Sequence, residues 1–289
     1  VATLEKIASV RILLIGDIVG KPGRRIITRT LKSIIAREQL DFVVANAENA
    51  AAGSGLTPDI YRELIDAGVD CITLGDHIYR RREIFSTLES ADNIVKPANF
   101  PAAAPGKPYA LVTARNGTTV AVISLLGRVF MRPVDCPFTA ADRVLAELPP
   151  EVRVIIVDMH AEATSDMQLM GRMLDGRASA VLGTHTHVPT ADECVFPGGT
   201  AFQCDVGMTG PYDSILGRRI DRVLETTRTF VPTQFDVATD DVRMCGSIVD
   251  VDAATGRATG IQRLRVNWDD AMRAEAALRE EPSVTTRPM

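Results

Sequence analysis

All four histidines of the chain, His77, His160, His185 and His187, directly follow short apolar runs. Asp17, Glu48, Asn49 and Asp76 do the same. Carboxylate, amide and imidazole groups are the donors that two divalent ions lying side by side require, and one carboxylate can bridge both. Ions held in this way acidify a bound water, so the chemistry expected is attack of a metal-bridging hydroxide on phosphorus. His185 and His187 are two residues apart, and in an extended segment such side chains point the same way, toward one metal pair. Each piece alone has a plainer reading. Asp17 reads as a turn or helix cap, Glu48-Asn49 as a turn, Asp76-His77 as a cap beside a surface histidine, and His160 as a satisfied core residue. The full set, gathered at strand ends, outweighs these readings, because the carboxyl ends of strands in α/β sheets are where ligands bind.

Repeated β–α units are needed to bring such distant residues together. Val10 to Ile15 is a branched apolar run too short for a helix and reads as a buried strand. Pro22 suits a first helical turn, and Ile27, Leu31, Ile34 and Ile35 share one helical face. Phe42 to Ala45 and Cys71 to Leu74 read as further strands, separated by a helix capped by Thr57 and running to Ala67. Tyr109 to Thr113 and Thr118 to Leu126 flank the hairpin signal Arg115-Asn116-Gly117. Helices are expected over Thr139 to Leu148 and Thr164 to Leu174. The strands Val152 to Val157 and Ala178 to Leu182 are expected to close at Asp158-Met159-His160 and Gly183-Thr184-His185-Thr186-His187. Strands are also expected near Thr200 to Cys204, Val242 to Val251 and Gly260 to Val266, with a short helix and a loose end after Asp269. Residues 214 to 240, rich in arginine and threonine, read as a long surface loop. The division expected is an N-terminal extension over 1–9, one domain over 10–268 and a tail over 269–289.

The whole chain sets limits on function. A length of 289 residues is ample to bury a core, and a net charge of −5 gives no reason to expect bulk nucleic acid or an anionic membrane as partner. No run of about 18 apolar residues exists, so no membrane span is expected. The start lacks the apolar core of a secretory signal, and the five cysteines show no CxxC spacing. Reduced thiols and a cytoplasmic location are the expectation. Gly16 to Pro22 is not a phosphate-binding loop. Three residues rather than four separate its glycines, and Pro22 follows Lys21 where Ser or Thr is required.

Six segments together resemble one family. They are Gly16-Asp17-Ile18-Val19-Gly20-Lys21-Pro22-Gly23-Arg24, Asn46-Ala47-Glu48-Asn49-Ala50, Leu74-Gly75-Asp76-His77, Asp158 to Ser165, Gly183 to His187, and Asp205 to Asp213. The chain is similar over Val10 to Val266 to the YmdB family of bacterial metallophosphoesterases. The resemblance implies a calcineurin-like α/β fold, two facing mixed β-sheets flanked by helices. It implies two divalent metal ions, iron or manganese, and phosphodiesterase activity on cyclic nucleotides, including 2′,3′-cyclic AMP. By the family pattern Asp17 binds the first metal with Asn49 beside it, and His187 joins them. Glu48 bridges, and Asp76, His160 and His185 hold the second metal. His77 is the acid near the leaving oxygen. The family motif has Gly-Asn-His where this chain has Gly75-Asp76-His77. The extra negative charge favours metal and opposes an anionic phosphate.

Three functions stay open on the sequence. The first is the diesterase, with His77 donating to the departing alkoxide and an arginine steadying phosphoryl charge. Arg80, Arg81 and Arg82 follow the site, although a solvated helix face is the plainer reading of that run. The second is a phosphomonoesterase or nucleotidase using the same metals. The third is a metal-bound nucleotide-binding regulatory protein with weak turnover because of Asp76. A homo-oligomer is implied by the resemblance, but no helix carries a strict heptad seam.

Overall fold

The first strand shows how the layers are built. In β1 (Ser9–Ile15), Val10, Ile12 and Leu14 enter one apolar cluster while Leu13 and Ile15 enter another. Successive side chains of a strand alternate faces, so a strand apolar throughout is buried on both. The computed structural model describes residues 9–273. Its first half continues with α1 (Gly20–Glu38), β2 (Phe42–Asn46), α2 (Pro58–Ala67), β3 (Cys71–Thr73), α3 (Phe85–Ser90) and β4 (Ile94–Val95). Next come β5 (Tyr109–Thr113), β6 (Thr119–Leu126), α4 (Pro137–Glu147), β7 (Val154–His160), α5 (Thr164–Met173) and β8 (Ala180–Thr184). The last part holds β9 (Cys194–Val195), β10 (Ala201–Gln203), β11 (Gly210–Pro211), α6 (Ile220–Thr229), β12 (Val242–Asp252) and β13 (Ala258–Asn267).

Two mixed sheets result. One runs β11-β12-β1-β2-β3-β4, with β13 also on β12, and its β1 to β4 segment is parallel. The other runs β5-β6-β7-β8-β10-β9, parallel from β6 to β10 and antiparallel at both margins. Phe42, Val44, Val122, Ile156 and Leu182 fill the core between the sheets. Helices α1 and α2 cover the outer face of the first sheet, and α4 and α5 that of the second. This is the calcineurin-like sandwich that the family resemblance implies. Parallel β–α units send the strand ends Ile15, Asn46, Thr73, His160 and Thr184 to one rim, since each helix returns the chain to the opposite end.

Local signals act as expected at several points. Thr57 caps α2 by accepting from the Ile60 N–H at 3.4 Å, Pro58 takes the first helical position, and Gly68 closes the helix in the left-handed region. The hairpin joins β5 and β6 in antiparallel register.

Other expectations need correction. Asp158-Met159-His160 does not close β7 but forms its last three residues, because all three remain in register with Ser124, Leu125 and Leu126 of β6. Strand β8 likewise runs through Thr184. Residues 214 to 240 are not simply a loop. They contain α6, which is amphipathic although none of its residues is buried, so its apolar face packs on no core of this chain among the described residues. The arginine run read as a solvated helix face is not one: Arg80 and Arg81 precede a 3-10 turn at Arg82–Ile84, and the short helix α3 follows it. The short helix expected after Asp269 begins one residue earlier and is seen over 268–273. The loose end and residues 1–8 of the extension lie outside the described residues. Among the described residues, no helix is long and apolar enough to cross a membrane.

Candidate metal centre

The rim gathers all eight residues expected from the sequence. Asp17 follows β1 and is fixed from both sides. Its backbone carbonyl accepts from the Thr209 N–H at 2.8 Å, and its Oδ2 accepts from the His185 N–H at 2.9 Å. The adjoining Ile18 and Gly20 N–H groups donate to the carbonyls of Asn46 and Asn49, which registers the first loop against the second. Glu48, fully buried, sits in the middle. Its Oε2 accepts from the His77 N–H at 2.9 Å, and its Oε1 lies 3.2 Å from His160 Nε2 and 3.4 Å from Asn49 Nδ2. Asp76 Oδ1 is 3.3 Å from His160 Nε2 and 3.6 Å from His185 Nδ1. One ligand atom from each of Glu48, Asp76, His160 and His185 falls within 4.8 Å of all the others.

Asp17, Asn49 and His187 make an adjoining group. His187 Nε2 is 3.3 Å from Asn49 Nδ2 and 3.8 Å from Asp17 Oδ1. Glu48 lies between the two groups, with its Oε1 near Asn49 on one side and His160 on the other. The route taken by His185 and His187 differs from the expected one. Neither is extended, with φ of 104° and 67° respectively. Their rings reach the site through a strained turn, whose Thr186 N–H and hydroxyl both donate to Asp205 Oδ2. Gly75 has a steric reason to be glycine, since a Cβ there would lie 2.3 Å from His160 ring atoms and 2.5 Å from Glu48 Oε2.

Electrostatics of the protein alone point to a cation site. Burial would lower the pKa of His160, but the Glu48 carboxylate, aided by Asp76 and Asp17, raises it well above the usual range. Burial pushes Glu48 and Asp76 up, yet His160 beside each brings both below the ordinary carboxylate range. Burial and the neighbouring His160 lower His185. The carboxylates around His160 thus favour positive charge at this point, the charge that a bound cation would supply. Asp17 Oδ1 is buried without a hydrogen-bond partner. A buried carboxylate oxygen left bare is costly unless a cation serves it. Three carboxylates, an amide and three imidazoles form a donor set of mixed O and N type, which suits borderline divalent metals.

Several residues that build the site escape the sequence reading. Asp158, fully buried, accepts from Asn46 Nδ2 at 3.1 Å and Thr184 Oγ1 at 2.6 Å, and also from Thr73 Oγ1. Thr184 Oγ1, whose own hydrogen goes to Asp158, lies 2.8 Å from His160 Nδ1 and accepts a hydrogen bond from it, leaving Nε2 toward Glu48 and Asp76. Glu162 Oε2 is 3.2 Å from His185 Nε2, on the opposite side of the ring from the cluster. Arg218, from the surface excursion, donates to the carbonyls of Ala52, Gly53 and Phe235 and lines the cleft with Leu216. The cleft encloses about 250 Å³, and Glu48, Asn49, His77, His185 and His187 face it. Of these, Asp158 follows an apolar run as the expected ligands do. Nothing local marks Glu162 or Arg218.

Comparisons with known proteins identify the family and the fold. The YmdB-like protein family matches residues 13–264. A "2′,3′-cyclic-nucleotide 2′-phosphodiesterase" of Bacillus subtilis (strain 168) is 46% identical over 259 residues, 90% of this chain and 98% of that protein. The crystal structure of a hypothetical protein from Thermus thermophilus superposes with a TM-score of 0.84 at 41% identity, covering 89% of this chain and 99% of the other. A phosphatase of Mycoplasma pneumoniae superposes equally well, with a TM-score of 0.84 at 29% identity over 90% and 94% of the two chains.

Proposed function

Because the chain belongs to the YmdB-like family, we propose that it is a metal-dependent phosphoric diester hydrolase acting on cyclic nucleotides, with 2′,3′-cyclic AMP as a representative substrate. The observation that carries this reading is the pair of donor groups sharing the buried Glu48, with Asp17 Oδ1 left bare beside them. Asp17, Asn49 and His187 would hold one ion and Asp76, His160 and His185 the other, with Glu48 available to both. Iron or manganese fits these donors. Such ions, when bound, supply Lewis acidity that activates a water and neutralises phosphoryl charge.

The remaining work falls to side chains of this chain. His77 Nδ1 lies 2.7 Å from the side-chain amide of Asn49, which orients the ring; with the amide oxygen committed to an ion, its N–H would donate to Nδ1 and leave the ring proton on Nε2. His77 Nε2 is then the nitrogen that delivers a proton to the departing oxygen. Thr184 fixes the ring of His160, and Glu162 that of His185. Arg218 brings a guanidinium to the cleft wall, where it offsets charge on the bound phosphate. A cytoplasmic location and a small substrate, in line with the bacterial relatives, complete the reading. The unburied face of α6 accords with self-association.

Metal content and hydrolysis, measured on one preparation, test the proposal. About two ions per chain with metal-dependent turnover of 2′,3′-cyclic AMP is the expected result. His77→Ala is expected to lower turnover by about 10²- to 10⁴-fold while keeping its metals. Absence of metal under every loading condition would overturn the reading. Faster turnover of monoesters than of cyclic diesters would move it to a phosphomonoesterase, and tight nucleotide binding without turnover to a regulatory protein.

A further inference from the structure

A second and larger cavity, of about 430 Å³, opens beside the metal centre and is lined by Asp76, Tyr79, Arg80 and Arg132. It meets the centre at Asp76, whose ion partners are His77, His160 and His185 rather than either arginine. Among the described residues, neither guanidinium has a carboxylate partner, in a chain whose net charge is −5. Tyr79 makes a fixed wall. Its hydroxyl donates to the Pro105 carbonyl at 2.7 Å, and its ring packs edge-on to Phe85 and tilted against Phe100. Arg132 stands over the Phe100 ring, 5.7 Å from its centre.

The chemistry of the lining selects the ligand. Guanidinium groups donate hydrogen bonds and accept none. With the Tyr79 hydroxyl already engaged, the polar groups left facing this cavity, apart from Asp76, are donors only. A nucleobase edge presents donors and acceptors together, whereas a phosphate presents acceptors alone and pairs with paired guanidiniums. A 2′,3′-cyclic mononucleotide carries one phosphate, which the metal centre takes. The cavity therefore asks for a second.

We propose that Arg80 and Arg132 form a subsite for a phosphate on the 5′ oxygen of the same nucleoside, so that the preferred substrate is a 5′-phosphorylated 2′,3′-cyclic nucleotide. This rests on the diesterase reading of the adjoining centre. A free 5′-phosphate and the internucleotide phosphate at a 2′,3′-cyclic RNA end share this chemistry. Tyr79 gives the cavity its rigid side, and Asp76 marks its boundary with the centre.

The test uses the metal-loaded full chain and two readouts. The first compares kcat/KM for adenosine 2′,3′-cyclic phosphate bearing a 5′-hydroxyl, the same compound bearing a 5′-phosphate, and a dinucleotide ending in a 2′,3′-cyclic phosphate. The second compares equilibrium binding of 3′-AMP and adenosine 3′,5′-bisphosphate, and needs no turnover. A preference of about 10- to 100-fold for the 5′-phosphorylated member of each pair is expected. The preference shrinks in Arg80→Ala and Arg132→Ala, and persists in Arg82→Ala, which lies outside the cavity. The dinucleotide arm separates an RNA end from a free mononucleotide. Turnover without any 5′-phosphate preference overturns the subsite and leaves the diesterase standing. An arginine-dependent binding preference without turnover does the reverse. A preference untouched by both arginine substitutions also overturns the assignment.

Discussion

Replacing Asp76 by Asn restores the residue of the family pattern and removes one negative charge from the centre. The carboxylate is about three-quarters shielded, with 23% of its side chain exposed, and lies 3.3 Å and 3.6 Å from the His160 and His185 ring nitrogens that share its ligand group. Two unit charges about 4 Å apart interact by about 4 kcal/mol at an effective dielectric of about 20. The amide keeps an oxygen donor and a dipole, so roughly half of this is lost. That is about 2 kcal/mol, or about 30-fold in the dissociation constant of one ion. The sign for substrate is opposite. An anionic diester next to the centre no longer faces that carboxylate, and KM falls several-fold. The assay is competitive chelation, resolving the weaker from the tighter ion, followed by kinetics at saturating metal. Weaker binding of one ion together with a lower KM is expected. A variant that holds both ions as tightly as the parent, or whose KM rises, refutes the electrostatic reasoning.

Glu162→Gln keeps the shape of the contact to His185 but removes its charge, and Glu162→Ala removes both. Metal affinity is expected to fall about 10-fold in the first and up to about 100-fold in the second, read by chelator competition, with little change in melting temperature. Equal affinity in all three proteins counts against an orienting role. Asp158→Ala strands the donors of Asn46, Thr73 and Thr184 in the interior, and chemical denaturation is expected to register a loss of about 3–5 kcal/mol. A loss under about 1 kcal/mol means that water or repacking replaces the carboxylate. Burial, with Asp17 nearby, raises the Asp205 carboxyl to about 8, so this group favours the fold below the ordinary carboxylate range and ceases to as pH climbs through about 8. His160, also raised, contributes with the same sign. The metal-free protein should melt at lower temperature at about pH 9 than at about pH 6, and metal loading should flatten that slope. A metal-free melting temperature that rises over the window contradicts the assignment.

The candidate ligands are legible in the sequence because each lies at or after the end of a strand that is buried and largely apolar. Val10 to Ile15 and Val154 to Val157 announce themselves, and the polar residue after each stands out. The strand ends are less legible. Whether His160 belongs to β7 is decided by its pairing with Leu126, a partner 34 positions away in the chain. The turn carrying His185 and His187 is hidden for a related reason. Its left-handed residues are held by Asp17 and Asp205, contacts that no local propensity encodes. Glu162 and Arg218 are invisible because they are solvent-reaching residues of common type, and only the fold places one behind His185 and the other over Gly53. Helix α6 is amphipathic as α1 is, but it is short, rich in threonine and arginine and has no buried residue, so its pattern does not stand out as that of α1 does.

The position of Asp158 has a mechanical consequence. Its carboxylate is gripped by side chains of β2 and β3 from one sheet and β8 from its own, directly beneath the metal ligands. The two sheets are thus riveted together at the rim that carries the chemistry, while elsewhere they meet largely through slippery apolar contacts. Sliding one sheet over the other pivots about this rivet, so distant repacking of the inter-sheet core changes the spacing of the ligands least. The fold can absorb wear in its interior and keep the gauge of its active site.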